Sequence, residues 1–342
     1  MKIIIDAMGG DLAPDAAVEG ALKAQDTLGV EILLVGRAEE ILRSVQKLGK
    51  SSLPRGVEIL DATETINMDD DPLAAVREKR DSSMVRALSR LAEGDGDALV
   101  SAGSTGALLS GATLIVKRVR GIRRAALAPF IPGRDGGFLI IDCGANAECT
   151  PEYLLQFAYM GSYYTESALG IKQPRVALLN NGSERTKGTQ LQLDTYRLLE
   201  EAGGDLNFIG NAEGSEVMNG KCDVVVCDGF SGNILLKSIE GAAKFLLGEV
   251  KSVLMKSAKT KLLALAMKRE FSELREKYNA DRIGGTVLLG ISKPVVKAHG
   301  SSGADAICSA VRQAVRAAEA NVSGKLKENM ERMKLSDNAT DI

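Results

Sequence analysis

DVVVCDGFSGNILLK, residues 223–237, reads as a strand, a turn of small residues and the start of a helix. Val224, Val225 and Val226 form an apolar β-branched run, which fits a strand covered on both faces. Asp228, Gly229, Ser231, Gly232 and Asn233 crowd small and polar residues into one turn, and Ile234-Leu235-Leu236-Lys237 opens a long helical pattern. Such a turn lets a ligand approach the backbone, and a helix start presents N–H groups with no internal acceptor.

Four other stretches repeat the unit. Ile3-Ile4-Ile5 runs into Asp6-Ala7-Met8-Gly9-Gly10-Asp11, and Ala98-Leu99-Val100 into Ser101-Ala102-Gly103-Ser104-Thr105-Gly106. The strand at 138–141 is followed by Asp142-Cys143-Gly144-Ala145-Asn146, and the strand at 176–179 by NNGSERTKG, residues 180–188. Strands that alternate with helices imply right-handed crossovers and a mostly parallel sheet. In such sheets ligands bind beyond the carboxyl ends of the strands, where all five loops fall. Ordinary turns favour the same residues, but five small-residue loops at one edge, poor in aromatics, favour a shared site.

Further elements fill in the alternation. Strands are expected at 31–35, 57–60, 207–209, 284–290 and 294–297. Pro14 suits the first position of a helix, Asp71-Pro72 starts another, Ser82 or Ser83 caps the next, and Thr150-Pro151 is a cap followed by a first helical residue. The last helix is expected from about Ala304. The resulting fold class is α/β, a Rossmann-like three-layer arrangement with a mostly parallel sheet. We expect one large domain over residues 1–333 and a flexible polar tail at 334–342.

Residues 238–278 break the pattern. They are apolar at helical spacing and basic, with Lys244, Lys251, Lys256, Lys259, Lys261, Lys268 and Arg269 among Leu254, Met255, Ala258, Leu262, Leu263, Ala266 and Met267. A break near 257–260 predicts a protruding helical hairpin. It is either a solvated basic face over a core stripe, or a surface for an acidic partner or an anionic bilayer.

Bulk composition narrows the function. The 342 residues carry a formal net charge of −2, aromatics are 4% and Trp is absent, which argues against nucleic-acid binding. No apolar run reaches membrane-spanning length and the start, MKIIIDAMGG, is unlike a signal peptide, so a cytoplasmic protein is expected. The five cysteines form no C-x-x-C and His299 is the only histidine; no metal site is expected. There is no G-x-x-x-x-G-K-[ST], and no G-x-G-x-x-G follows the first strand. Residues 103–106 can cradle a small anion through backbone N–H groups. Lys187 and Lys297 are cations close to sheet-end loops. His299 is either a packing residue or a catalyst, and Asn233 either a helix cap or a donor to a developing oxyanion.

DAMGGD at 6–11, SAGSTGAL at 101–108, DCGAN at 142–146, the 178–188 stretch, VVVCDGFSGN at 224–233 and KAHGSS at 297–302 together resemble the bacterial acyl-[acyl-carrier-protein]–phosphate acyltransferases of phospholipid synthesis, in the family's order and over the chain to about residue 320. The resemblance implies a fold similar to phosphotransacetylases and to isocitrate and isopropylmalate dehydrogenases. It implies that inorganic phosphate attacks the thioester of a long-chain acyl-acyl-carrier protein, giving acyl phosphate for a membrane glycerol-3-phosphate acyltransferase. It also implies a homodimer with peripheral membrane contact. Two departures stand out: Ser104, where the family usually has Asn, and residues 279–283, NADRI, in place of an aromatic-rich segment.

The residues suit that chemistry. Phosphate is itself the nucleophile, so the protein must hold an anion against a carbonyl and stabilise the tetrahedral oxyanion, and no cofactor is required. The expected catalytic residues are Lys187, Asn233 and His299. Phosphate is expected on Ser101, Gly103, Ser104, Thr105 and Gly106, with Ser301 and Ser302 closing the pocket. Asp6, Gly9, Gly10, Asp11, Asp142, Asn146, Asn180, Asp228 and Ser231 complete the lining. Leu254, Met255, Lys256, Lys259, Leu262 and Leu263 are the expected contacts to carrier protein or membrane. The rivals are a phosphate acetyl- or butyryltransferase using acyl-CoA, a decarboxylating dehydrogenase of the same fold group, and a non-catalytic acyl or phosphate binder. The dehydrogenase would need a metal-binding aspartate cluster, and Asp69-Asp70-Asp71 reads as a helix start.

Overall fold

The computed structural model describes residues 1–134, 136–277 and 284–333. The 279–283 segment and the 334–342 tail lie outside them. The alternating strands and helices form two sheets rather than one. The first contains β1 (Lys2–Asp6), β2 (Glu31–Gly36), β3 (Val57–Asp61), β4 (Ala98–Ser101), β5 (Ala126–Ala128), β11 (Thr286–Leu289) and β12 (Val295–Lys297), in the order β3-β2-β1-β4-β12-β11-β5. The second contains β6 (Phe130–Ile131), β7 (Phe138–Ile141), β8 (Val176–Leu179), β9 (Phe208–Ala212) and β10 (Val224–Val226), in the order β6-β7-β10-β8-β9. Pairing is parallel except for β11 with its two neighbours and for β6 with β7. Pro129 stands between β5 and β6, where the chain passes from one sheet to the other. It has no N–H to continue a ladder, which suits that place.

The valine run of β10 is fully buried, between β7 and β8. Val224 and Val226 join the core shared by both sheets, while Val225 faces the opposite side. β1 alternates in the same way: Ile3 and Ile5 face the shared core, and Ile4 faces the outer helices. Three helices run through the shared core: α1 (Asp15–Leu28), α6 (Pro151–Leu169) and α12 (Ala304–Glu319). A Cβ at Gly20 of α1 would lie 2.6 Å from Ile307 Cβ of α12, so the glycine permits that crossing.

The local signals place most boundaries. Asp71 caps α3 (Pro72–Glu78), accepting from Ala74 N at 2.8 Å, and Ser82 caps α4 (Ser83–Glu93). Thr150 and Pro151 open α6 as expected. Pro14 is the residue before α1 rather than its first. The helix after β10, α9 (Gly229–Leu254), starts at Gly229, so the small-residue turn is itself its first turn. α10 (Ala258–Ala266) and α11 (Lys268–Lys277) follow. Ser257 breaks the arm where expected and caps α10, accepting from Thr260 N at 3.2 Å. Met267 breaks it again, making three helices instead of a two-helix hairpin.

Candidate active site

β1, β4 and β12 are neighbours in parallel register, and Asp6, Ser101 and Lys297 form one row at their carboxyl ends. Ser101 Oγ donates to Asp6 Oδ2 at 2.7 Å and accepts from Gly103 N at 3.1 Å. Met8 N donates to Asp6 Oδ1 at 3.3 Å. Ala298 N donates to Ser101 O at 2.9 Å and Asp11 N to Gly300 O at 2.8 Å, tying the loop after β12 to the other two. A Cβ on Gly9 would come within 2.6 Å of Gly103 N, so any larger residue would push the loops apart.

The row is charged, with Asp6 and Ser101 buried and Lys297 partly so. Desolvation raises the Asp6 carboxyl above its usual range, against hydrogen bonds from Ser83 and Ser101 that lower it. Burial brings the Lys297 ammonium down to about 8, although Asp6 and Asp11 favour its charge. Its Nζ donates to Ala102 O at 3.4 Å and to Ala298 O. Ser104 caps α5 (Thr105–Gly111), accepting from Ala107 N at 3.5 Å. That leaves the amides of Thr105 and Gly106 in a first turn with no acceptor inside the helix. His299 is exposed at the rim; Ser301 N donates to its Nδ1 at 3.3 Å, and Ser301 Oγ lies 2.9 Å from the same nitrogen. Ser302 is buried beneath, its N–H donating to His299 O at 3.0 Å.

The second sheet has its own corner. Asp142 is fully buried and accepts five hydrogen bonds: Oδ1 from Leu127 N (2.8 Å), Cys143 N (2.7 Å) and Ala145 N (3.3 Å), Oδ2 from Asn146 N (2.6 Å) and Asn146 Nδ2 (2.9 Å). It therefore fixes its own loop instead of lining a pocket. Asn146 Nδ2 also donates to Ala125 O at 2.8 Å, which joins this corner to the first sheet. Gly229 N donates to Asn146 O at 2.7 Å, and a Cβ on Gly232 would sit 2.0 Å from Asp142 O. Asp228 caps α9, accepting from Ser231 N and Ser231 Oγ, each at 2.8 Å. The cap is therefore Asp228 and not Asn233. Asn233 stands exposed in the next turn, its side chain about 4 Å from where a Cβ on Gly144 would be. Burial pushes the Cys143 and Cys149 thiols to about 12 and Cys227 well above its ordinary value. They are unsuited to act as thiolate nucleophiles.

The 180–188 loop is a third group. Asn180 Nδ2 donates to Lys187 O at 3.0 Å and Asn211 Nδ2 to Glu184 O at 2.8 Å, leaving Lys187 exposed. Among the described residues no hydrogen bond or ion pair joins this loop to the 101–106 loop. The cation brought to that loop is Lys297.

On the arm, Met255, Lys256, Lys259, Leu262 and Leu263 are exposed and Leu254 is half-buried. Phe245, Leu246, Leu247, Val250, Val253 and Leu265 are exposed as well. The three consecutive apolar residues 245–247 were the available signal, because a run that circles a helix cannot all face one core.

The fold resembles those of solved phosphotransacetylases. It is similar to a phosphotransacetylase from Streptococcus pyogenes, with a TM-score of 0.63 at 20% identity over 93% of both chains. It is also similar to a branched-chain phosphotransacylase from Enterococcus faecalis, with a TM-score of 0.59 at 14% identity over 93% of this chain and 99% of that one. The profile of the family described as "Fatty acid synthesis protein" matches residues 1–325. Curated relatives named phosphate acyltransferase are 44% identical: one from Clostridium kluyveri over 97% of this chain and 98% of its own length, and one from Lactococcus lactis over 97% and 99%. The chain belongs to this phosphate acyltransferase family and is an enzyme.

Proposed function

We propose that the protein transfers a long-chain acyl group from acyl-acyl-carrier protein to inorganic phosphate, releasing acyl phosphate for phospholipid synthesis. The observation that carries this reading is the convergence of the 6–11, 101–106 and 297–302 loops at the carboxyl ends of three adjacent parallel strands. Loops of that kind hold an anion on backbone amides. Phosphate sits on the 101–106 loop, where the first-turn amides of α5 are available, and Lys187 contributes a positive charge from the other sheet. Asn233 donates to the thioester oxyanion as it forms. As the carbon–sulfur bond breaks, His299, exposed beside Ser301, takes the proton that phosphate releases on attack and passes it to the departing carrier-protein thiolate.

The apolar and basic arm supports an acidic, lipid-bearing donor. We assign α9 residues Phe245, Leu246 and Val250 to contact with a second copy of the chain. Leu262 and Leu263, with Lys256 and Lys259, are assigned to carrier protein or to an anionic membrane surface close to the enzyme that consumes the product. No described helix is long and apolar enough to cross a bilayer.

Purified protein with phosphate and either palmitoyl-acyl-carrier protein or palmitoyl-CoA tests the donor. Acyl phosphate from the carrier-protein donor alone is expected. Turnover with CoA alone would place the protein with the CoA-dependent phosphotransacylases, and phosphate binding without turnover would favour a sensor. Lys187→Ala is expected to lose turnover at low phosphate; near-normal turnover there would remove Lys187 from the phosphate site. If vesicle binding survives Leu262→Glu with Leu254→Glu, membrane insertion of the arm is wrong, and charge reversal at Lys256 and Lys259 then tests electrostatic attraction.

A further inference from the structure

Lys297 is a partly buried cation for which the reaction as proposed has no use. It stands in the row Asp6–Ser101–Lys297, at the end of β12, which takes its place between β4 and β11 after the chain has passed through the second sheet. Its ammonium donates to carbonyls of two of the three converging loops, Ala102 O and Ala298 O. The carboxylates that act on it come from the third, Asp6 at the end of β1 and Asp11 beyond it. Asp305, on the α12 helix beside β12, is paired with Lys23 instead. Asp6 in turn accepts from Ser101 Oγ, which accepts from Gly103 N. A neutral amine in this place would leave the buried Asp6 charge uncompensated beside the loop that meets the anion.

We propose that Lys297 is the positioning residue of the anion corner: its ammonium offsets Asp6 and holds the 101–106 loop in the form that binds phosphate. The proposal rests on the reading of this corner as the phosphate site, and not on the identity of the acyl donor. The affinity for phosphate then depends on the Lys297 charge. Because burial already brings that group to about 8, the dependence falls in an accessible range. Removing Asp6, which favours the ammonium, moves the loss of affinity to lower pH.

The test is inorganic phosphate binding by calorimetry, without acyl donor, from about pH 7.5 to 9.5, with affinity referred to the concentration of phosphate dianion at each pH. Wild type is expected to lose about tenfold in affinity across that range as the ammonium deprotonates. Lys297→Met is expected to bind about tenfold more weakly at the lower pH and to show a flat profile. Lys297→Arg, which cannot deprotonate, is expected to keep its affinity at the upper end, and Asp6→Asn to shift the wild-type fall to lower pH. In turnover assays KM for phosphate rises in Lys297→Met while KM for the donor stays within about twofold. A Lys297→Met protein that binds phosphate like wild type, with the wild-type pH profile, overturns the proposal. If that variant does not fold, a flat wild-type profile overturns it equally. Wild type that binds phosphate with this pH dependence yet makes no acyl phosphate refutes the proposed reaction and leaves the role of Lys297 standing.

Discussion

Each sheet ends in a corner built around one buried aspartate, and the two are neutralised by different means. Asp142 is surrounded by four backbone N–H groups and one side-chain amide. Asp6 has the Ser101 hydroxyl, the Met8 amide and a lysine two strands away in the same row. The first arrangement uses up its amides and does not titrate near neutrality on the donor side, so it is a frame. The second keeps the amides of Thr105 and Gly106 available and contains an ammonium that can lose its proton. On the proposed reading, the five-stranded sheet's corner is a fixed frame and the seven-stranded sheet's corner is the one whose charge can change.

The five-stranded sheet's corner is most sensitive at Gly232. Alanine there places a methyl 2.0 Å from the Asp142 carbonyl oxygen, a backbone atom held by the sheet. Denaturant unfolding should show a loss of about 3 kcal/mol or more, or no folded protein. Asp142→Ala strands the buried amides of Leu127, Cys143 and Asn146, and a loss of about 2–4 kcal/mol is expected by the same measurement. A loss below about 1 kcal/mol would mean that the frame does not depend on its carboxylate.

The seven-stranded corner is sharpened by pH. Burial holds Lys297 at about 8, below the ordinary 10.5. Between those values the unfolded chain binds the extra proton, so the Lys297 contribution makes folding more favourable as pH rises through that window. Below about 8 both states are protonated and the full cost of burying the ammonium is present. The stability of Lys297→Met relative to wild type should therefore fall by about 2–3 kcal/mol between the two pH values, read as the difference of two unfolding curves. An unchanged difference would mean that the lysine is solvated. The smallest effect belongs to Lys187. It is exposed, and Lys187→Ala should change stability by less than about 0.5 kcal/mol, so that any lost turnover is a loss of chemistry.

Much of this frame was legible in the chain. The valine run announced a central strand because strands covered on both faces do not alternate, and Val224–Val226 is fully buried. Asp71 and Ser82 marked helix starts because capping is local chemistry, and Pro151 marked another because its fixed φ suits a first helical position, although Thr150 before it makes no side-chain cap. The division into two sheets was not legible. It turns on β5 and β6, three and two residues long on either side of Pro129, too short for a periodic signal. The loops were found as candidates one by one, but their grouping depends on strand order. β12 returns beside β4, and that return, not local sequence, brings Lys297 to Ser101 and leaves Lys187 with the other sheet. Asp228 and Ser231 looked like pocket residues because caps and ligand loops use the same small polar side chains.

Hydrogen exchange with and without inorganic phosphate, followed at the 103–106 and 143–146 amides, tests most directly which corner meets the anion. Slowed exchange is expected at 103–106, and none of that change at Cys143, Ala145 and Asn146, whose amides the Asp142 carboxylate already occupies. Protection at 143–146 with 103–106 unaffected would contradict that expectation.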